Sequence, residues 1–236
     1  MEDKDLKMWS YRIVHDKQFA PNPFKGVLTL ATCKPKIRCS RESKPGIWLA
    51  GFAAYSVVGD GIRPRKGSER LIYLAKISEV IPMKDYWKKY PQKRAVNCND
   101  DQFEEYYGDN IYNEKLELVN QNHHSEGDIR RDISGKNVLI CEEYYYFVPK
   151  NRLEIPPEFD DLVYKRRGQV LMTNSDKIRQ FVEFVKSETE GKSGIIGNIS
   201  RQKYDATIDC SCQTIEVKSN GCSSSEESTS KNSCGK

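Results

Sequence analysis

The chain has 236 residues, of which 37% are hydrophobic and 31% charged, and a formal net charge of +4. This composition fits one larger domain with a core able to fold alone and a highly charged surface. It argues against a membrane-spanning helix, because no stretch approaches the roughly 20 apolar residues one requires, and the modest total charge does not by itself point to nucleic acid.

The N-terminus Met1-Glu2-Asp3-Lys4-Asp5 lacks the basic start and apolar run of a secretory signal, so a cytoplasmic location is expected. Eight cysteines then imply reduced thiols rather than a disulfide scaffold, and four of them (Cys210, Cys212, Cys222, Cys234) lie near the C-terminus. Trp9, Tyr11 and Ile13 alternate with Ser10 and Arg12 and predict a half-buried strand, with His15 and Asp16 where it emerges. Pro21 and Pro23 stiffen the following Phe19-Ala20-Pro21-Asn22-Pro23-Phe24 segment. Residues 26–32 read as a second strand and residues 47–55, almost wholly apolar, as a strand buried on both faces. Turn chemistry over 58–67 predicts a loop, and 70–80 reads as one long central strand. Pro82 closes it before a short aromatic helix over 83–90. Residues 97–101 are rich in turn formers, and 137–148 have the β-branched and aromatic content of a strand. Ile178, Phe181, Val182 and Val185 fall at helical spacing and predict an amphipathic helix over 176–188, capped by Ser175. Many strands with few helices imply an α+β domain on a mostly antiparallel, barrelled sheet, spanning 1–191. Residues 192–236 read as a polar tail without the apolar content to order itself.

Basic side chains concentrate in two segments, Lys34, Lys36, Arg38, Arg41 and Lys44 in one and Arg63, Arg65, Lys66 and Arg70 in the other. Brought together they would face phosphates; apart they are solvated loops. Cys210-Ser211-Cys212 with Cys222 lacks the paired spacing of a zinc site, no H-x-x-x-H or C-x-x-C pattern occurs, and neither a metal nor another cofactor is expected.

Several strings in order, Tyr11-Arg12-Ile13-Val14-His15-Asp16, Phe19-Ala20-Pro21-Asn22-Pro23-Phe24, Thr29-Leu30-Ala31-Thr32-Cys33-Lys34-Pro35-Lys36-Ile37-Arg38, Gly108-Asp109-Asn110-Ile111-Tyr112, His123-His124 and Tyr144-Tyr145-Tyr146-Phe147, resemble the second type of nucleotide modification associated domain. The likeness spans roughly residues 8–188. It implies a domain of systems that make or handle modified bases in DNA, with DNA or a modified nucleotide and other base-modification enzymes as partners. In fold, the strand order is similar to PUA-like barrels, the group of the EVE, ASCH and YTH domains, although Pro45-Gly46-Ile47-Trp48 departs from the Gly-Asp pair common before their buried strand.

Two readings of the site stand. In the binding reading, Phe19, Phe24, Trp48, Tyr86, Trp87 and Tyr112 are candidate walls for a base, Asn22 or Asn110 reads its edge, and Lys34, Lys36 and Arg38 hold the backbone. In the enzyme reading, His15, Asp16, Asp109, His123 and His124 converge for acid–base work, with Cys33 as nucleophile and Lys34 stabilising charge. Neighbouring strand residues face opposite ways, so His15 and Asp16 share a pocket only if the strand has ended there.

Overall fold

The computed structural model describes residues 5–58, 68–94, 108–119 and 125–198, with side chains 56–58 left out. Alternation of apolar residues at period two builds two open sheets (α+β), not a closed barrel, among the described residues. In the larger, β1 (Met8–His15) lies parallel to β3 (Trp48–Val58), which pairs antiparallel with β4 (Glu69–Lys76). The edge strand β9 (Gln169–Met172) runs antiparallel beside β1. On the other side β4 pairs with β7 (Glu143–Phe147) and β8 (Leu153–Ile155), and β10 (Gly194–Ile196) adds in parallel to β7. The smaller sheet has β6 (Asn137–Cys141) between β2 (Leu28–Leu30) and β5 (Glu79–Pro82).

The expected single strands over 70–80 and 137–148 are each two strands in different sheets. After β4 the chain leaves the larger sheet at Ile77 and Ser78, whose N–H groups donate to Ile47 O and Ile140 O, and β5 joins the smaller sheet. Between β6 and β7 it returns at Glu142, where the N–H donates to Ser78 Oγ at 2.9 Å. These corners divert the chain between two stacked sheets instead of closing one.

The side chains of β3 show the stacking. Leu49 and Ala53 face a core shared with Leu28, Leu30, Leu139 and Ile37, between the sheets. Trp48, Ala50 and Phe52 face the helix over Ser175–Glu188, whose Ile178, Phe181, Val182 and Val185 are buried. Asn174 rather than Ser175 caps that helix, accepting from Lys177 N at 3.1 Å. Gly51 is required by close approach, since a methyl there would overlap the Tyr73 ring and Ile13. The outer face of the smaller sheet is covered by α2 (Met83–Lys89), by Ile111 and Tyr112, and by α3 (Glu126–Ser134). The helix over Ser175–Glu188 is α4, and α1 is the single turn Pro35–Arg38. Among the described residues no helix is long and apolar enough to cross a membrane.

Candidate functional site

Most polar residues singled out from the sequence sit in buried hydrogen-bond networks. Asp16 is buried, paired with Arg152 Nη2 at 3.0 Å and accepting from the Tyr146 hydroxyl. Asp109 accepts from Thr29 Oγ1 at 2.6 Å and from the Tyr86 hydroxyl at 2.7 Å. Burial pushes the Asp109 carboxyl above its ordinary range, against the pull of Lys93. Lys93 is itself fully buried, its ammonium donating to Asn22 O, Asn22 Oδ1, Phe24 O and Val27 O within 2.7–3.1 Å. Desolvation draws its pKa down to about 8. Asn110 is buried and donates to Tyr86 O and Tyr90 O. The aromatic candidates belong to this interior: Phe24, Trp48, Tyr86 and Tyr112 are buried, Phe19 packs against the outer core of the smaller sheet, and Trp87 carries the Arg94 guanidinium at 4.0 Å.

Arg38 is wholly buried instead of reaching a ligand. Its guanidinium donates to the carbonyls of Ala31, Cys33, Asp132 and Asn137. Asp132 completes a clamp, accepting from Cys33 N at 2.6 Å and from the Tyr112 hydroxyl at 3.1 Å. The clamped turn is unusual in its backbone, with φ of 54° at Cys33 and 41° at Lys34, both left-handed. Pro35 follows as the first residue of α1. The result projects residues 33–36 past the end of β1, where Lys34 Nζ lies 4.3 Å from the centre of the Tyr11 ring.

An open cleft of about 760 Å³ lies there. Its walls bring together Arg12 and His15 of β1, Cys33, Lys34 and Lys36 of the clamped turn, Arg131 of α3, and Lys165, Arg166 and Arg167 before β9. Among the described residues no Asp or Glu lines it. The 165–168 segment is pinned because Tyr164 N donates to Ser10 Oγ at 3.0 Å and β9 pairs with β1. Arg12 is held by Ala53 O at 2.8 Å and by Glu69, Arg131 by Asp128, and Lys165 by Asp160. Among the described residues no carboxylate pairs with Lys36, Arg166 or Arg167. Burial and the neighbouring Lys17 lower the His15 pKa below its ordinary 6.5, leaving the ring neutral at pH 7.

Four of the expected residues therefore meet at one cleft: His15, Cys33, Lys34 and Lys36. Asp16, Asn22, Phe24, Arg38, Asp109, Asn110 and Tyr112 are placed in the interior behind it. His123, His124, Arg63, Arg65 and Lys66 lie outside the described residues, and Arg70 pairs with Glu154 at 2.7 Å. Unforeseen were Arg12, Arg131 and the run Lys165-Arg166-Arg167-Gly168. That run has a visible signal, three consecutive cations before a glycine, in a stretch outside the strings that drew attention.

No curated protein and no solved structure matches the chain. The family described as nucleotide modification associated domain 2 matches residues 5–201, which take in both sheets and every wall of the cleft, and the chain belongs to that family.

Proposed function

We propose that the cleft binds the phosphates of a nucleotide or nucleic-acid strand, and that the protein serves DNA base modification as a nucleotide-binding domain. One observation carries this reading: among the described residues seven Arg and Lys residues from four separate segments line the cleft and no carboxylate does, although three of the seven, Arg12, Arg131 and Lys165, are paired with carboxylates outside the lining. Like charges crowded together repel, so such a site is at its most stable when an anion fills it. The volume falls within the roughly 300–1,000 Å³ of small-molecule sites, enough for a nucleotide. Lys34 and Lys36 contribute from one wall and Arg166 and Arg167 from the facing loop.

Binding through phosphates depends on salt, the slope of log affinity against log salt rising by about 0.7 per neutralised phosphate on a single strand and about 0.9 on a duplex. Replacing Arg166 and Arg167, or Lys34 and Lys36, by Ala is expected to lower that slope by about 1–2 in fluorescence-anisotropy titrations. Arg41→Ala/Lys44→Ala, which removes exposed cations away from the cleft, is expected to leave it unchanged. An equal slope in all three variants and wild type would sink the proposal.

A second reading is favoured by His15 and Cys33 sharing the cleft wall. A neutral imidazole is the form that accepts a proton, and a thiol that has given one up is a nucleophile. In this reading the bound nucleotide is a substrate, and its turnover is lost in both His15→Gln and Cys33→Ser while binding persists.

A further inference from the structure

At the cleft wall, one group is left with a hydrogen bond to make. Arg12 Nη1 donates to Ala53 O and to Glu69, but Arg12 Nη2 is buried and, among the described residues, has no acceptor. A buried guanidinium N–H without an acceptor is costly, on the order of 1–3 kcal/mol, and a small shift of the side chain toward the cleft would let an anionic oxygen satisfy it. Glu69, itself only 5% exposed, ties a second side chain to the same place, because Tyr55 donates its hydroxyl to Glu69 Oε1 at 3.1 Å. The Arg12 guanidinium carbon lies 5.6 Å from the centre of the Tyr55 ring. Tyr55 is 49% exposed, one of few large hydrophobic side chains so presented among the described residues. It adjoins the cleft through Arg12, which lines the wall and lies over its ring.

Resting on the phosphate-binding reading of the cleft, we infer that Arg12 and Tyr55 together take one unpaired nucleotide of a single strand, its phosphate on Arg12 Nη2 and its base stacked on the open face of the Tyr55 ring. A base in a duplex has both faces covered by its neighbours and must be unstacked before a protein ring can replace them. A fixed, exposed ring beside a phosphate donor therefore selects single strands. The remaining cations, spread over residues 34–36, 131 and 165–167, suit the neighbouring phosphates of the same strand better than the single phosphate of a free nucleotide.

The experiment measures anisotropy of a labelled dT12 strand, a 12-base-pair duplex and a fluorescent mononucleotide against wild type, Tyr55→Ala, Tyr55→Phe and Arg166→Ala/Arg167→Ala. Wild type is expected to prefer the single strand. Stacking on an aromatic ring is worth about tenfold or more in affinity, so Tyr55→Ala loses that much for dT12 with the salt slope kept, while Tyr55→Phe retains most of it. Duplex binding is expected to be equal in all three Tyr55 proteins. If Tyr55→Ala binds dT12 as wild type does, or if duplex or mononucleotide binds as tightly as the strand, the inference is overturned. If the arginine pair still lowers the salt slope in that case, the phosphate cleft survives it; if it does not, both fall.

Discussion

Cys33 and Lys34 each occupy the left-handed backbone region, which costs a non-glycine residue on the order of 1–3 kcal/mol when the surroundings enforce it. The Asp132 carboxylate and the Arg38 guanidinium enforce it here, one accepting from Cys33 N and the other donating to Cys33 O. The consequence is directional: residues 33, 34 and 36 join the cleft wall together. His15 adds a titratable partner to the same wall. Its pKa is lowered first by burial and then by Lys17, so the unfolded chain takes up a proton near pH 6.5 before the folded protein does. Stability from this group therefore rises as pH climbs toward 6.5 and is lost as pH falls through the folded value. Phosphodiesters stay anionic across that window, so binding has the opposite trend. Affinity for a DNA strand is expected to increase about two- to fivefold as pH drops from 7.5 to 5.5, the scale of an exposed charge pair. His15→Gln is expected to flatten that part of the pH profile, and an unchanged profile would show that His15 does not face the bound strand.

At the scale of elements, α1 is a single turn and has no stability of its own. Its position depends on Arg38, which ties the end of β2, the clamped turn, α3 and β6 through four backbone carbonyls. Removing that guanidinium strands buried acceptors and leaves the Asp132 charge without its neighbour. Arg38→Ala is expected to cost about 3–5 kcal/mol, read as a lower urea midpoint at unchanged m-value. Gly135→Ala tests the same tie from the other side, because a methyl there would collide with the Arg38 guanidinium, and it too should lower the midpoint. Local signals were sufficient to locate β1 and α4, by alternation and helical spacing, and β3 and α2, by an unbroken apolar run and by bounding prolines. They did not show that 69–82 and 137–147 each serve two sheets. The corners at Ile77-Ser78 and Glu142 are one or two residues long inside strand-like stretches, and what defines them is a hydrogen bond to a distant strand. The placement of the candidate site residues was illegible for a related reason. Asp109, Asn110, Asn22 and Arg38 are polar residues in motif-like strings, and in sequence a buried structural network has the same composition as a reactive one.

For the whole molecule, β10 extends the larger sheet beyond the boundary expected at residue 191: Ile195 packs on the core between the sheets and Ile196 on the core under α4. A chain ending at residue 191 loses that strand and its pairing to β7, and is expected to melt several degrees below the full-length protein, whereas one ending at residue 201 is expected to match it in melting temperature and in DNA binding. Equal melting of the 191 form would show that β10 adds nothing. By itself the sequence determined the types of its most strongly patterned elements, the family, and a stock of cations, thiol and imidazole, because periodicity, turn chemistry and residue identity are local properties. Only the tertiary structure decided which of those groups meet. The cleft joins β1, the turn at 33–34, α3 and the loop at 165–167, segments as far as some 150 residues apart, through β1–β9 and β2–β6 pairing and the Arg38 tie. Those pairings are contacts between surfaces that do not exist until both sheets have formed.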